Sequence, residues 1–273
     1  MTAKGSIGFI SANFVARDSG YDGTDDWGAH DERTRKIFDL EETVQWIEDV
    51  ATMGFDGLSL WSAHCWYHTV AEDDILSLRR AAEDAGLPIF AYAGSFGVPP
   101  ESADATDNRV RKEAWHDTVA TASLLGAQHL AGGYDPKDEA FLVAACEQYD
   151  VAFAFENHPE SSSNEIRERI PDTAHAGVAF DTGWAVTQDL NAPSLIRELG
   201  DDLIEIHLKD VDSPGSHNTC ALGAGALDLE GCLDTLDDIG FDGWISIEHE
   251  PYDRDPLPEI RESLEKLKDL GWI

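Results

Sequence analysis

The sequence is poor in basic residues, and this shortage excludes several kinds of partner. Lys and Arg together number 19 against 54 Asp and Glu, which gives a formal net charge of −35 over 273 residues. Such a surface repels nucleic-acid phosphates and anionic membranes, so neither is expected as a partner. The acid runs along the whole chain, which indicates a halophilic protein from a salt-saturated cytoplasm, where salt screens self-repulsion. An acidic protein from an ordinary cytoplasm is the alternative.

The chain also lacks paired cysteines and long apolar runs. Its four cysteines, Cys65, Cys146, Cys220 and Cys232, are far apart and form no Cys-x-x-Cys pair, as expected for reduced thiols. No 18 consecutive apolar residues occur, so no membrane-spanning helix is expected. The N-terminal stretch MTAKGSIGFISANF has no basic segment followed by a long apolar one. It is therefore unlike a signal peptide, and a cytoplasmic location is predicted.

What the chain does have is a regular alternation of short apolar runs and amphipathic segments. The pattern predicts eight strands, at 6–10, 58–61, 88–93, 128–131, 151–155, 178–180, 203–208 and 244–247. It predicts a helix after each strand, at 40–52, 75–85, 107–125, 137–148, 165–170, 193–199, 229–239 and 258–270. This α/β order predicts a single (β/α)₈ or TIM barrel over residues 1–273. A doubly wound open sheet is the alternative, but no Gly-x-Gly-x-x-Gly turn follows the first strand.

Two predicted strand-to-helix connections are longer than the usual two to six residues. Residues 15–39 are rich in Asp and Gly and carry Trp27, and residues 211–227 contain His217. Both follow the carboxyl ends of strands, so both would lie over the barrel mouth. They are candidates for a lid or a substrate-contacting surface, and solvated acidic loops are the alternative.

Four strands in the second half of the chain end in residues that can bind a metal ion. Glu156, Asp181, His207 and Glu248 follow the fifth to eighth apolar runs in order. Because the active site of a (β/α)₈ barrel lies at the carboxyl ends of its strands, these side chains are expected to meet. Three carboxylates and one imidazole suit Mn²⁺, Mg²⁺ or Co²⁺, with Zn²⁺ as a further candidate.

The motifs around these residues resemble a known family. ENHP, FDTGW, HLKD and GFDGWISIEHEP are similar to signature stretches of the sugar phosphate isomerases and epimerases, the xylose isomerase-like barrels. The resemblance extends to GFDGLSLWSAH and LGAGALD, so it covers nearly the whole chain. It implies that a divalent metal ion, by expectation Mn²⁺, is held by Glu156, Asp181, His207 and Glu248.

The resemblance also implies substrate contacts and some departures. His64, His158 and Lys209 match positions that line the family's substrate pocket, and the aromatic Trp184 is a candidate wall for a sugar face. Trp184 stands where the family often has His, Ser59 where it often has Glu, and Ser213 where ketose 3-epimerases have Arg. These departures concern the identity of the substrate and leave the four metal ligands intact.

A divalent ion that bridges a carbonyl and its neighbouring hydroxyl acidifies the C–H bond between them and stabilises an enediolate. Glu156 and Glu248 flank the expected ion and are the candidate acid and base. His158 is a candidate for orienting a hydroxyl, with a hydrogen-bonded structural His as the alternative. The ammonium of Lys209 could hold an oxygen of the substrate or could simply pair with Asp210.

Secondary candidates lie around the same end of the barrel. Gly223 and Gly225 could present backbone N–H groups to a phosphate. Trp61, Trp66 and Tyr67 could extend the aromatic wall or could simply pack in the core.

The sequence thus predicts a metal-dependent isomerase or epimerase of a sugar, keto-sugar or polyol derivative, with a homo-oligomer as one expected assembly. A keto-inositol-type dehydratase using the same enolisation is an open alternative. An endonuclease IV-like nuclease is disfavoured by the charge and by Trp184, which stands where that enzyme needs another His. A barrel that binds a ligand without catalysis is the third class.

Overall fold

A closed barrel of eight parallel strands forms the centre of the computed structural model, which describes residues 5–98 and 106–273. The barrel strands β1 to β8 are Ser6–Ile10, Gly57–Trp61, Ile89–Ser95, His129–Gly133, Ala152–Glu156, Ala176–Asp181, Leu203–Leu208 and Trp244–Ile247. Each strand pairs with the next along the chain, and β1 pairs with β8 to close the cylinder. The predicted (β/α)₈ barrel is therefore confirmed, and the open sheet is excluded.

Helices cover the outside of the barrel. In the described ranges, α1 to α10 are Trp27–Thr34, Leu40–Ala51, Glu72–Asp84, Asn108–Leu125, Glu139–Tyr149, Ser163–Arg167, Thr182–Thr187, Ala192–Leu199, Leu229–Ile239 and Leu257–Asp269. Eight of them are the predicted helices, with ends that differ from the prediction by at most three residues. The other two, α1 and α7, were not predicted, because α1 lies in an acidic stretch without apolar periodicity and α7 has only six residues.

Aspartate begins many of these helices. The carboxylates of Asp26, Asp39, Asp107 and Asp228 each accept a hydrogen bond from a backbone N–H in the first turn of α1, α2, α4 and α9. An acid at this position satisfies a free N–H and interacts favourably with the helix dipole. Part of the acidic excess therefore has a local structural role.

Aromatic rings and polar groups fill the barrel interior. The ring of Phe90 on β3 stacks on Trp244 of β8 with centroids 3.8 Å apart, so contact across the barrel places both rings inside it. A Cβ on Gly8 would lie 2.7 Å from the Phe90 ring, which explains why β1 carries glycine there. Towards the mouth, small residues of β3 to β6 face inward, namely Ala93, Ala131, Ala154 and Ala179.

Both long connections cover the mouth of the barrel. In the first, the backbone N–H of Gly23 donates to the carbonyl of Tyr252 at 3.0 Å, and His30 stacks on the Tyr252 ring with centroids 5.3 Å apart. In the second, Asp210–Val211 and Thr219–Cys220 form a short antiparallel ribbon. The backbone N–H of Glu250 donates to the Thr219 hydroxyl at 3.1 Å, so both segments contact the connection that follows β8. This is more order than a solvated acidic loop would have.

The cysteines and the length of the helices also bear on the class of the chain. All four cysteines are free, and three of them are buried. No helix in the described ranges is both long and apolar enough to cross a bilayer. The N-terminal expectation rests partly on residues 1–4, which lie outside the described ranges.

Candidate metal centre

The four predicted ligands meet at the carboxyl ends of β5 to β8. One ligand atom from each of Glu156, Asp181, His207 and Glu248 lies within 4.8 Å of the others. Three of the four side chains are buried and the fourth, Glu156, is half-buried. The condition that neighbouring strands bring these residues to one point is therefore met.

Hydrogen bonds between strand ends fix the positions of the carboxylates. The Asn157 side chain donates to the carbonyl of Asp181 at 3.1 Å and accepts from its backbone N–H at 2.8 Å, which ties the end of β5 to that of β6. One oxygen of Asp181 accepts from the N–H of Trp184 at 3.0 Å and begins α7. The sequence motifs ENHP and FDTGW thus orient neighbouring ligands through their polar residues.

The next two strand ends are joined in the same way. The Thr182 hydroxyl accepts from the N–H of Lys209 at 2.9 Å and donates to its carbonyl at 2.8 Å. A Cβ on Gly183 would lie 2.7 Å from Cγ of Lys209, so the glycine of FDTGW makes room for the lysine side chain.

His207 lies between the two glutamates. Its Nδ1 is 2.8 Å from Oε1 of Glu156 and 3.0 Å from Oε2 of Glu248. Among the described residues, Oδ2 of Asp181 and Oε2 of Glu248 are buried without a hydrogen-bond donor at good geometry. Buried polar atoms normally have partners. Buried carboxylate oxygens without a donor, next to an imidazole, are suitable ligands for a hard divalent cation. The residue types present therefore fit a metal site.

The electrostatics of the cluster agree with a site built for positive charge. Burial, aided by Glu248 and Glu156, raises the pKa of Asp181 to about 6. Burial also opposes the charge of Glu248, but the Lys209 ammonium and His207 imidazole hold its pKa well below the usual range. Burial works against the His207 cation, yet Glu205, Glu156 and Glu248 raise its pKa well above the usual value.

Glu205 is a functional candidate that the sequence analysis missed. This fully buried β7 residue has Oε1 3.4 Å from Nε2 of His207 and Oε2 2.7 Å from Nε2 of His129, and it accepts a hydrogen bond from Ser246. A carboxylate behind a ligand imidazole fixes the orientation of the ring. The available signal was its two-residue spacing from His207, since alternate strand residues face the same side.

Lys209 is surrounded by acids other than the one expected. Its Nζ lies 2.8 Å from Glu248, 2.6 Å from Glu250 and 3.6 Å from Asp181. The expected pairing with Asp210 is therefore wrong. Burial, together with Glu248, raises the pKa of Glu250 to about 7, although Lys209 acts in the opposite direction. Glu250 was missed, although it too follows a predicted ligand by two residues.

A cavity of about 730 Å³ is lined by three of the four candidate ligands, Glu156, His207 and Glu248. Its lining includes the predicted substrate contacts His158, Trp184 and Lys209, and both long mouth connections contribute to it through Asp25, Trp27, Val211, His217 and Thr219. The Trp27 N–H donates to Glu250 at 3.0 Å, which ties the first connection to the edge of the metal centre. The interpretation of these connections as substrate-contacting segments is therefore favoured.

Three predicted pocket residues do not line this cavity. His64 is buried beside Trp46 and Trp61, and its Nδ1 lies 3.0 Å from the Ser11 hydroxyl, so it packs behind the wall that Trp61 provides. Trp66 and Tyr67 belong to a separate cluster with Ala114.

The expected phosphate cradle at Gly223 and Gly225 is also wrong. Their backbone N–H groups donate to Oδ2 of Asp210 at 2.9 and 3.0 Å, and the N–H of Leu227 donates to Oδ1 at 2.9 Å. The amides are thus already satisfied by a carboxylate of the chain itself.

Sequence comparison finds distant relatives of this chain. A provisionally named hydroxypyruvate isomerase of Streptomyces coelicolor is 25% identical over 241 residues, covering 74% of this chain and 84% of that protein. This similarity extends over most of both chains.

Solved structures with the same fold cover almost the whole chain. A xylose isomerase domain protein from Planctomyces limnophilus superposes with a TM-score of 0.70 at 17% identity, covering 99% of this chain and 98% of that one. The 3-keto-D-glucoside 4-epimerase of E. coli gives a TM-score of 0.68 at 15% identity, with 97% and 100% coverage. At these identities the likeness concerns the fold.

A family profile gives the assignment. Residues 47–270 match the family described as the xylose isomerase-like TIM barrel, and this range contains all four candidate metal ligands. Taken with the closed barrel, the match means that the chain belongs to the xylose isomerase-like TIM barrel family.

Proposed function

We propose that this protein is a divalent-metal-dependent isomerase or epimerase of a sugar or keto-sugar that works by moving a proton next to a carbonyl. The observation that carries the proposal is the cluster of Glu156, Asp181, His207 and Glu248, with a buried oxygen of Asp181 that accepts no hydrogen bond, beside a cavity at the mouth of the barrel. The isomerases and epimerases among the similar proteins support the same reaction class.

The four clustered residues would hold the ion. A bound divalent ion would polarise a substrate carbonyl and stabilise the negative charge that develops when the adjacent C–H bond loses its proton. Mn²⁺ is the ion we expect, because three carboxylates and one imidazole form an oxygen-dominated site.

Glu156 and Glu248 are proposed as the groups that move the proton. Both carboxylates lie within 3.0 Å of Nδ1 of His207 and both line the cavity, so a substrate bound there would be within reach of two carboxylates. Lys209 donates to Glu248 at 2.8 Å, which keeps that carboxylate oriented and ionised. Accepting a proton from one carbon and returning one to the same or the next carbon gives epimerisation or isomerisation.

His158 and Trp184 are proposed to position the substrate. Nε2 of His158 lies 3.9 Å from Oε2 of Glu156, and its ring lies 5.0 Å from that of Trp184. His158 can therefore bind a hydroxyl beside the proposed base while the indole covers a less polar face of the ring.

The experiment is to follow C–H exchange with deuterated water in a panel of ketoses, aldoses and keto-inositols, with the Mn²⁺-loaded protein in high-salt buffer. Exchange should require the ion and should fall about 10²–10⁴-fold in Glu248→Gln, because a ligand and an acid–base group are both lost. Glu147→Gln, an exposed acid on α5, is the control and should exchange at the wild-type rate. Equal exchange in Glu248→Gln and wild type would refute the proposal, and net loss of water would identify a dehydratase instead.

A further inference from the structure

The charge of the cavity restricts the class of substrate, an inference that rests on the proposed function. Five acids line the cavity, Asp25, Asp135, Glu156, Glu248 and Glu250. Among the described residues that line it, Lys209 is the one Lys or Arg. The segments outside the described ranges, 1–4 and 99–105, contain a single basic residue, Lys4.

Lys209 is not free to bind an anion. Its ammonium already contacts Glu248 and Glu250 and lies near Asp181. With Asp181 included, six carboxylates exceed the three positive charges that Lys209 and a bound divalent ion would supply. A phosphate dianion would therefore enter against a negative potential, in a partly buried site where screening is weak.

The loops that most often bind phosphate in this fold are occupied by the chain's own acids. TIM barrels that bind phosphate frequently do so through the loops after the seventh and eighth strands. Here the backbone N–H groups of Gly223, Gly225 and Leu227, after β7, all donate to the carboxylate of Asp210. The first turn of α9 is likewise capped by Asp228, which accepts from Gly231 at 3.0 Å.

The segment after β8 gives the same result. It carries Glu250, Asp253 and Asp255, and its one cation, Arg254, pairs with Asp253 and Glu259 at 2.7 Å each. Among the described residues of both loops, no guanidinium lines the cavity, and the amides of Gly223, Gly225 and Leu227 are already occupied.

Aromatic side chains take the place of positive charge around the cavity. The Trp184 ring lies 5.1 Å from His217 on one side, and Trp27 lies 5.5 Å from Trp61 on the other. The cavity volume of about 730 Å³ falls within the range of about 300–1,000 Å³ found for sites of drug-sized ligands. Aromatic walls of this kind suit the C–H faces of a neutral ring.

We infer that the substrate is an uncharged sugar or keto-sugar and that its phosphate monoesters are rejected. The inference rests on the acids of the lining, on the paired state of Lys209 and on the occupation of the amide cradle by Asp210. It separates this site from one that serves phosphorylated sugars.

The test compares neutral sugars with their phosphate monoesters, beginning with D-fructose and D-fructose 6-phosphate, on the intact Mn²⁺-loaded protein. Binding is measured by calorimetry and turnover by C–H exchange, at the lowest salt in which the protein stays folded, because salt would mask the charge effect. Neutral members should bind at least about tenfold more tightly than their monoesters. Inorganic phosphate alone should give no saturable heat of binding.

Different outcomes distinguish the two proposals. Exchange that is faster with a monoester than with its neutral parent would overturn the uncharged-substrate inference and leave the isomerase proposal intact. Tighter binding of neutral sugars without any exchange would support the inference and contradict the isomerase proposal. Saturable binding of inorganic phosphate that sugar phosphates displace would overturn the inference.

A charge variant tests the physical cause. Glu250→Gln keeps the size of the side chain and an acceptor for the Trp27 N–H but removes a carboxylate from the lining, and the comparison is made at alkaline pH, where that carboxylate is ionised in wild type. The ratio of the affinities for the neutral sugar and its monoester should fall about fivefold in Glu250→Gln. Glu147→Gln, outside the cavity, should leave this ratio unchanged. An unchanged preference in Glu250→Gln would contradict the charge explanation.

Discussion

Asp181 and Asp210 are both completely buried at the mouth of the barrel, but they differ in the hydrogen bonds that their carboxylates accept. Both oxygens of Asp210 accept hydrogen bonds, from three backbone N–H groups in total. One oxygen of Asp181 accepts from Trp184, whereas the other has Lys209 no closer than 3.6 Å and no hydrogen-bond donor among the described residues. Asp210 thus holds a loop through its hydrogen bonds, whereas Asp181 keeps one oxygen available for the cation that we propose.

The difference has an energetic meaning. A buried charge is costly unless it is paired and hydrogen-bonded, so a fully satisfied carboxylate stabilises the fold and an unsatisfied one opposes it. In a chain with 54 acids, composition alone does not distinguish their roles, and the partners of each carboxylate oxygen indicate which acids are candidates for binding a cation. Four substitutions test this distinction.

The largest effect is expected from Asp210→Ala. Removing this carboxylate leaves the backbone N–H groups of Gly223, Gly225 and Leu227 without their acceptor. The free energy of unfolding should therefore fall by about 3–5 kcal/mol. Denaturant unfolding measures the change. The exposed Asp212, two residues away, is the matched control, and Asp212→Ala should stay within about 0.5 kcal/mol of wild type. Similar losses in both variants would show that the amide contacts of Asp210 are unimportant.

Asp181→Asn should instead raise the free energy of unfolding of the metal-free protein. Because burial raises the pKa of Asp181 from 3.8 to about 6, its ionised form is disfavoured in the fold, and stability is lost as the pH rises through that window. At pH 8 in chelator, the variant should be more stable than wild type by about 1–3 kcal/mol. The gap should close below pH 4, where wild-type Asp181 is protonated. A less stable variant at pH 8 would contradict the account.

Glu205→Gln tests the interior carboxylate that contacts His207. The neutral amide cannot hold the imidazole as the carboxylate does, so the affinity for Mn²⁺ should fall about 10–100-fold. Competition with a fluorescent chelator measures the affinity. Thr235→Ser, a conservative change on α9, serves as a control for general loosening of a buried site. Unchanged affinity in Glu205→Gln would mean that Glu205 does not contribute to metal binding.

The smallest effect concerns the first mouth connection. Trp27→Phe removes the N–H that donates to Glu250 and should lower the free energy of unfolding by about 1 kcal/mol. A double-mutant cycle with Glu250→Ala, which removes the acceptor, isolates this contact, and its coupling energy should be about 0.5–1 kcal/mol. Strictly additive effects would mean that the hydrogen bond does not fasten this segment.

The sequence was sufficient to predict the barrel and the position of the four candidate ligands. Eight apolar strands that alternate with helices commonly form a closed barrel. The carboxyl ends of neighbouring strands in such a barrel lie close together. The bounds of β1, β7 and β8 were predicted to the residue. The single domain, the oligomeric state, the halophilic origin and the cytoplasmic location stay predictions.

The sequence was not sufficient where the path of a loop or the direction of a side chain decided the outcome. Gly223 and Gly225 suggested a phosphate cradle, but only the folded loop brings their amides to Asp210. His64 matched a pocket position, yet it lies behind Trp61. Glu205 and Glu250 could not be singled out from the sequence, because acidic residues occur throughout this chain.

A count of bound metal ions tests whether Asp181 and its neighbours form a metal site. Wild type and Asp181→Asn are incubated with Mn²⁺, freed of excess ion by gel filtration and measured by elemental mass spectrometry. We expect one ion per wild-type chain and close to none in the variant, with both proteins folded. One ion per chain in both, or none in either, would contradict a metal centre built on Asp181 and its three neighbours.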